Sequence, residues 1–207
     1  MSKNQSLILQ QSFYDRAAPS VARDLLGKVL VRNIDDQNIS GLIIEAEAYQ
    51  GEEDLACHAR SGRTARTEVM YGPPGHAYIY FTYGMHWLLN CVSDKEGMPA
   101  AVLIRAIDPI EGLDFIAKQR KGVSQKQWCN GPAKLCKSLV ITGKLNGYNL
   151  MSHNDTLWIE NAEPINDCDI LSGPRVGIDN VPEPWKSIPW RFMIKDFQSI
   201  LPKQKIR

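Results

Sequence analysis

A chain of 207 residues with 43% hydrophobic content can bury one substantial core, enough for a single domain or two small ones. Its formal charge of +1 identifies no class of partner, because a balanced total can hide a one-sided patch. No stretch approaches the roughly 18–20 consecutive apolar residues of a membrane span, and the apolar run in "MSKNQSLILQQSF" is too short for a signal peptide, so the reading is an intracellular protein. Five cysteines (Cys57, Cys91, Cys129, Cys136, Cys168), an odd set without a C-x-x-C pair, argue against a disulfide framework and a zinc knuckle and for reduced, mostly buried thiols.

The segment "APSVARDLLGK" enters a helix at Pro19 and Ser20, places Val21, Leu25 and Leu26 on one face, and stops at Gly27. "VLVRN" and "GLIIEAEAY" follow as an antiparallel strand pair joined by a loop over "IDDQNIS". A second pair spans "AYIYFTYGMHW" and its continuation "LLNCVS", and "AAVLIRAI" is a further buried strand. "PIEGLDFIAKQR", with Ile110, Leu113, Ile116 and Ala117 at helical spacing, and "GPAKLCKSL", entered through Gly131 and Pro132, are the next helices. The C-terminal third is rich in proline and ends in short strands such as "WRFMI". Strands and helices do not alternate, so the expected fold is α+β: a single domain over residues 1–207 with a largely antiparallel sheet, surrounding helices and a protruding hairpin.

Two features carry chemistry. The dipeptide Tyr83-Gly84 sits between two strand-like runs, which puts a large aromatic at a tight hairpin apex. Its own strands cannot bury that ring; it folds back on the domain, or it is a wedge that enters a base stack and fills the gap left by an extruded nucleotide. Strand alternation puts Glu45, Glu47 and Tyr49 on one face after the apolar Leu42, Ile43 and Ile44, so at least one carboxylate lies close to the core. Carboxylates at i and i+2 are about 7 Å apart and point the same way, which does not flank a glycosidic bond. A single general base fixed by Arg105 fits better, with a structural Glu–Arg pair as the alternative. His58 has no other histidine (His76, His86, His153) at metal-ligand spacing. Basic residues cluster at Arg60, Arg63 and Arg66 and between Lys118 and Lys137.

Taken together, "EAEAYQGEEDLACH", "GPPGHAYIYFTYGMHWLLN", "VLIRAIDPIEG", "NGPAKLC" and "RVGI" resemble the alkyladenine DNA glycosylase family, the 3-methyladenine DNA glycosylases of the methylpurine type. The resemblance runs from "ARDLLGK" to "RVGI", most of the chain. It implies that Glu47 activates the water that attacks C1′ of the lesion deoxynucleotide, with Arg105 and the backbone carbonyl of Val176 holding that water. It assigns Tyr49, His58 and Tyr80 to the flipped base, Asn90 to exclusion of the guanine 2-amino group, and Tyr83 to intercalation. Arg63, Thr64, Arg66, Met85 and Lys134 fall at the DNA surface. The implied activity is monofunctional excision of alkylated purines (3-methyladenine, with 7-methylguanine, hypoxanthine and ethenoadenine as further candidates) from duplex DNA, leaving an abasic site. His58 is the candidate for assisting neutral bases. No metal or cofactor is expected, no membrane partner, a monomer, and a place with the nucleoid in a bacterium or in the nucleus of a eukaryote. Ala65, Thr67 and Glu68 in "TARTE" depart from the T-P-R-N that family members commonly carry. A lesion-sensing DNA-binding protein of the same fold without chemistry is the alternative, and a small-molecule transferase or hydrolase a further one.

Overall fold

The computed structural model describes residues 7–152 and 156–197; His153 lies outside them. One strand organises the rest. β2 (Gln37–Gln50) follows β1 (Val29–Ile34) through Asp35 and Asp36, whose φ values of 51° and 61° are the left-handed pair of a type I′ hairpin turn. The loop expected over "IDDQNIS" is therefore two residues long. Short polar side chains tolerate that backbone, and Gln37 to Ser40 continue the ladder with β1.

The remaining strands are β3 (Ala77–Thr82), β4 (His86–Val92), β5 (Ala100–Glu111), β6 (Leu157–Glu160), β7 (Ile170–Gly173) and β8 (Arg191–Ile194). The sheet runs β3-β4-β5-β2-β1-β6 with antiparallel neighbours throughout. β1 starts opposite Leu42; from Glu45 to Glu47 the same edge of β2 is taken by β8, which also pairs with β7. The helices are short: α1 (Gln11–Tyr14), α2 (Ala18–Asp24), α3 (Leu113–Gln119) and α4 (Pro132–Ser138). The α+β, single-domain architecture is as the sequence indicates. One helix is displaced: β5 continues to Glu111, opposite Ser40, and Gly112 at φ 71° breaks the chain before α3, so Ile110 is a strand residue. The short elements α1, β6 and β7 carry no periodicity long enough to read in advance.

The two faces of the sheet differ. Residues opposite one another on antiparallel strands share a face, so Ala46, Ala48, Ile79, Leu89, Cys91, Val102 and Ile104 face α2 and α4 and form the main core. The opposite face carries Glu47, Tyr49, Tyr78, Tyr80, Asn90, Leu103 and Arg105, with a smaller cluster of Cys57, Ala59, Met70, Tyr78, Val92 and Ala101 at its edge. The cysteines are free, four of them buried and Cys168 exposed. Among the described residues no helix is long and apolar enough to cross a membrane.

Close packing of β2 on β5 leaves no room at Gly41: an added Cβ would lie 2.9 Å from the Asp108 carbonyl oxygen and 2.9 Å from Ile107 Cδ1. Gly41→Ala should lower stability by about 1–3 kcal/mol, seen as a lower urea midpoint at unchanged slope.

Candidate functional site

The register of β2 against β5 shifts around Ile43, Glu45 and Ala46, an irregularity that re-aims the side chains beyond it. Glu47 then lies opposite Leu103 on one side and Arg191 on the other, on the face away from the helices. Its side chain is fully buried, and burying a bare carboxylate is expensive. Three donors compensate. Val176 N–H donates to Oε1 at 2.7 Å, while the Tyr49 hydroxyl (2.9 Å) and Arg105 Nη1 (3.1 Å) donate to Oε2. Arg105 Nε donates to Glu45, which also accepts from Arg191 Nε, so two carboxylates and two guanidinium groups form one network. Burial nonetheless wins at Glu47: its carboxyl is raised above the ordinary value of 4.5, against the opposing effects of Arg105, Val176 N–H and Tyr49. Burial and the adjacent carboxylate raise Tyr49 well above 10.0, so it stays a phenol and a donor.

Above this network lies a cavity of about 320 Å³, lined among others by Tyr49, His58, Tyr80, Asn90, Arg105 and Val176. That volume is at the lower end of the range for small-ligand sites, about 300–1,000 Å³. Glu47 itself lies one layer beneath the wall, reached through three of its lining residues. A carboxylate offers about four acceptor positions, and three of them are taken here. Asn90 is held by donating Nδ2–H to the Tyr78 carbonyl at 2.9 Å.

His58 stands edge-on to Tyr80, with ring centroids 4.6 Å apart. Its Nδ1 lies 2.9 Å from the Tyr78 hydroxyl and its Nε2 3.4 Å from Arg66 Nη2. Arginine only donates, so Nε2 carries the lone pair and Nδ1 the proton, given to Tyr78. Burial, then Arg66 and Arg60, push the imidazole down to about 4. At neutral pH His58 is uncharged, which takes away the simplest way for it to protonate a neutral base.

At the rim, Tyr83 is 84% exposed and also borders the cavity. The β3–β4 turn is closed by Met85 N–H donating to the Thr82 carbonyl, with Tyr83 at φ 50° and Gly84 at φ 67°. A non-glycine residue held left-handed costs roughly 1–2 kcal/mol, so an aromatic here is maintained at some expense to the fold. Met85 is exposed beside it. Of the other expected surface residues, Arg66 leans over the Tyr80 ring, whereas Arg63 is engaged in a two-point ion pair with Glu68 (2.6 and 2.9 Å). Thr64 is tied to Thr67, and Lys134 donates to Asn130. Arg63, Thr64, Met85 and Lys134 do not line the cavity.

Val176 meets Glu47 through its N–H, a contact in addition to the water-holding carbonyl that the resemblance implies. Sequence reasoning missed Arg175 and Asp54, a fully buried ion pair behind Tyr49, because the partners lie far apart in the chain; their only signal was their place inside "RVGI" and "EEDLACH". It also missed the role of Tyr78 as the anchor of His58. Among the described residues no group of three His, Cys, Asp or Glu side chains could hold a metal ion.

The model of the methylpurine-DNA glycosylase family matches residues 12–198. A relative from Carboxydothermus hydrogenoformans is 45% identical over 190 residues, covering 92% of this chain and 96% of its own. One from Methanocella arvoryzae is 45% identical over 190 residues (91% and 93%), and one from Desulfitobacterium hafniense 44% identical over 201 (93% and 97%). Each bears the name "Putative 3-methyladenine DNA glycosylase". With nine-tenths of its length matched, the chain belongs to the methylpurine-DNA glycosylase family and is a DNA glycosylase.

Proposed function

We propose that this chain acts as a monomer, as one glycosylase domain, and flips alkylated purines out of duplex DNA to hydrolyse their glycosidic bond. The observation that carries the reading is Glu47: a fully buried carboxylate, held by three donors from three parts of the chain, directly under an aromatic-walled cavity beside an exposed tyrosine. Tyr83 enters the stack and occupies the gap; Tyr49, His58 and Tyr80 receive the base. Methylation at a ring nitrogen makes the purine cationic, which suits it to tyrosine faces and makes it a good leaving group. As the C1′–N bond breaks, its electron pair leaves with the base and positive charge develops on the sugar. The Glu47 carboxylate stabilises that charge and takes the proton of the water whose oxygen bonds to C1′. Among the described residues no lysine lines the cavity, in keeping with hydrolysis rather than Schiff-base strand cleavage. Asn90, backed by Tyr78, crowds a purine 2-amino group. The substrate preference is 3-methyladenine, the base in the names of the relatives.

Glu47 and Tyr83 should divide the work. Glu47→Gln should reduce 3-methyladenine release from methylated duplex DNA by at least about 10²-fold, in chelator, while keeping affinity for abasic-site DNA. Tyr83→Ala should weaken that affinity. Equal loss of binding in both variants would sink the division, and loss of release from wild type with binding retained would favour a lesion sensor.

Arg63 at the DNA backbone must first leave Glu68. Glu68→Gln should therefore tighten binding to undamaged duplex and steepen the log Kd against log[salt] plot by about 0.9, one phosphate contact. An unchanged slope would remove Arg63 from the contact set.

His58 should show no protonation in an NMR titration of the imidazole from pH 8 to 5. Its folded value near 4 is below the unfolded 6.5, so the unfolded chain takes up the proton first. Through this group stability is constant above about 6.5 and falls as pH drops toward 4. A His58 titration midpoint above 6 would restore it as an acid for neutral bases.

A further inference from the structure

We propose that Arg175, clamped by Asp54, is a positioning residue for excision, holding both the Val176 N–H and the Tyr49 hydroxyl on Glu47. The proposal rests on the reading of Glu47 as the base. Arg175 has side-chain exposure of 0%, as has Asp54. Its two terminal nitrogens donate to both Asp54 oxygens, at 2.5 and 2.8 Å, to the Ala48 carbonyl at 2.9 Å and to the Trp185 carbonyl at 3.2 Å. Its guanidinium lies 4.8 Å from the Tyr49 ring centroid and 5.3 Å from that of Trp190. Asp54 in turn accepts from the Gln50 and Ala56 N–H groups. One planar cation thus joins the end of β2, the segment leading to His58 and the segment between β7 and β8.

That last segment contains no helix or strand, so nothing periodic fixes Val176. Its side chain does not fix it either, being 46% exposed. The anchor is the neighbouring Arg175. Because Tyr49 lines the cavity and Arg175 does not, the guanidinium supports the ring from the side away from the cavity, and the hydroxyl is thereby aimed at Glu47 Oε2. Two of the three donors to the base are set by one residue that touches neither substrate nor base. A lysine keeps the charge but cannot reproduce a fork that serves four acceptor oxygens.

Loosening this clamp withdraws donors that favour the charged carboxylate. The other groups facing Glu47 stay in place: Glu45 from β2, Arg105 from β5, Tyr80 from β3, and Arg191 from β8, which is held by Glu45. Burial then acts with less opposition, and the acid limb of the rate profile moves to higher pH.

The experiment is single-turnover excision of 3-methyladenine as a function of pH by wild type, Arg175→Lys and Glu47→Gln, with abasic-site DNA affinity measured alongside. In Arg175→Lys the rate at neutral pH should fall about 10²-fold, the loss expected for misplacing a catalytic group by about an ångström. Affinity should change little, and the acid limb should shift upward. A folded Arg175→Lys with the wild-type rate and acid limb overturns the proposal, as does a lower rate with the limb unmoved, which marks a merely structural residue. If Arg175→Lys does not fold, Asp54→Asn takes its place, with the same outcomes decisive. If neither folds, amide exchange in the wild type decides: Val176 N–H should be protected despite its exposed side chain, and fast exchange overturns the proposal. Glu47→Gln keeps the two readings apart. Its full activity would overturn Glu47 as base, whereas inactivity there with an unaltered Arg175→Lys would overturn only the positioning role.

Discussion

Removing the Glu47 carboxylate from water is the constraint around which the site side of this molecule is arranged. An ionised group taken into the interior costs several kcal/mol unless charge and hydrogen bonds replace its hydration. Here the replacements come from Tyr49 on the same strand, Arg105 on the adjacent strand and the main chain at Val176, 129 residues away in sequence. None of these elements can move independently without leaving a buried charge short of a partner. The long strand β2, its irregular register with β5 and the docking of β8 beside Glu45 and Glu47 are the backbone solution to that demand.

The sheet separates the apolar core from the candidate site. Its helix-facing side is closed by alanine, leucine, isoleucine and valine, a tight apolar layer that tolerates little change in volume. Its other side alternates the same strands into phenols, an amide and ion pairs. Because successive residues point to opposite faces, each strand serves both purposes with no extra segment. The exposed tyrosine follows from the same geometry: β3 and β4 run past the sheet body to a turn whose positive φ values hold Tyr83 outward.

Much of this was legible in the sequence, and the residues show why. Alternation through Glu45, Glu47 and Tyr49, and the pairing with Arg105, follow from a two-residue period and a buried run. The hairpin follows from Tyr83-Gly84. What was hidden depended on contacts between distant segments. Arg175 finds Asp54 only after residues 174–190 have crossed the end of β2, and no local pattern encodes that crossing. The Val176 N–H bond to Glu47 was equally hidden, because every residue but proline carries an N–H. Ile110 misled because an apolar residue at helical spacing is also an apolar residue in a strand; the register with β2 decided it.

On the proposed reading, the cavity discriminates by ring faces rather than by a facing counter-charge. The carboxylate lies beneath the wall and is already matched by Arg105, while His58 is neutral at physiological pH with its proton committed to Tyr78. Beside Arg105 and Asn90, the groups that present themselves include phenol rings, and one of them, Tyr49, is backed by a guanidinium on its far side. That cation weakens the attraction of the ring for a positively charged purine by a small amount and at the same time fixes the ring in place. On the proposed reading the trade favours the chemical step. A base held less tightly by cation–π attraction, over a carboxylate held in fixed geometry, concentrates the interaction on the charge that develops at the sugar. Rigidity at Tyr49 and Val176 is then worth more to the reaction than affinity for the lesion base.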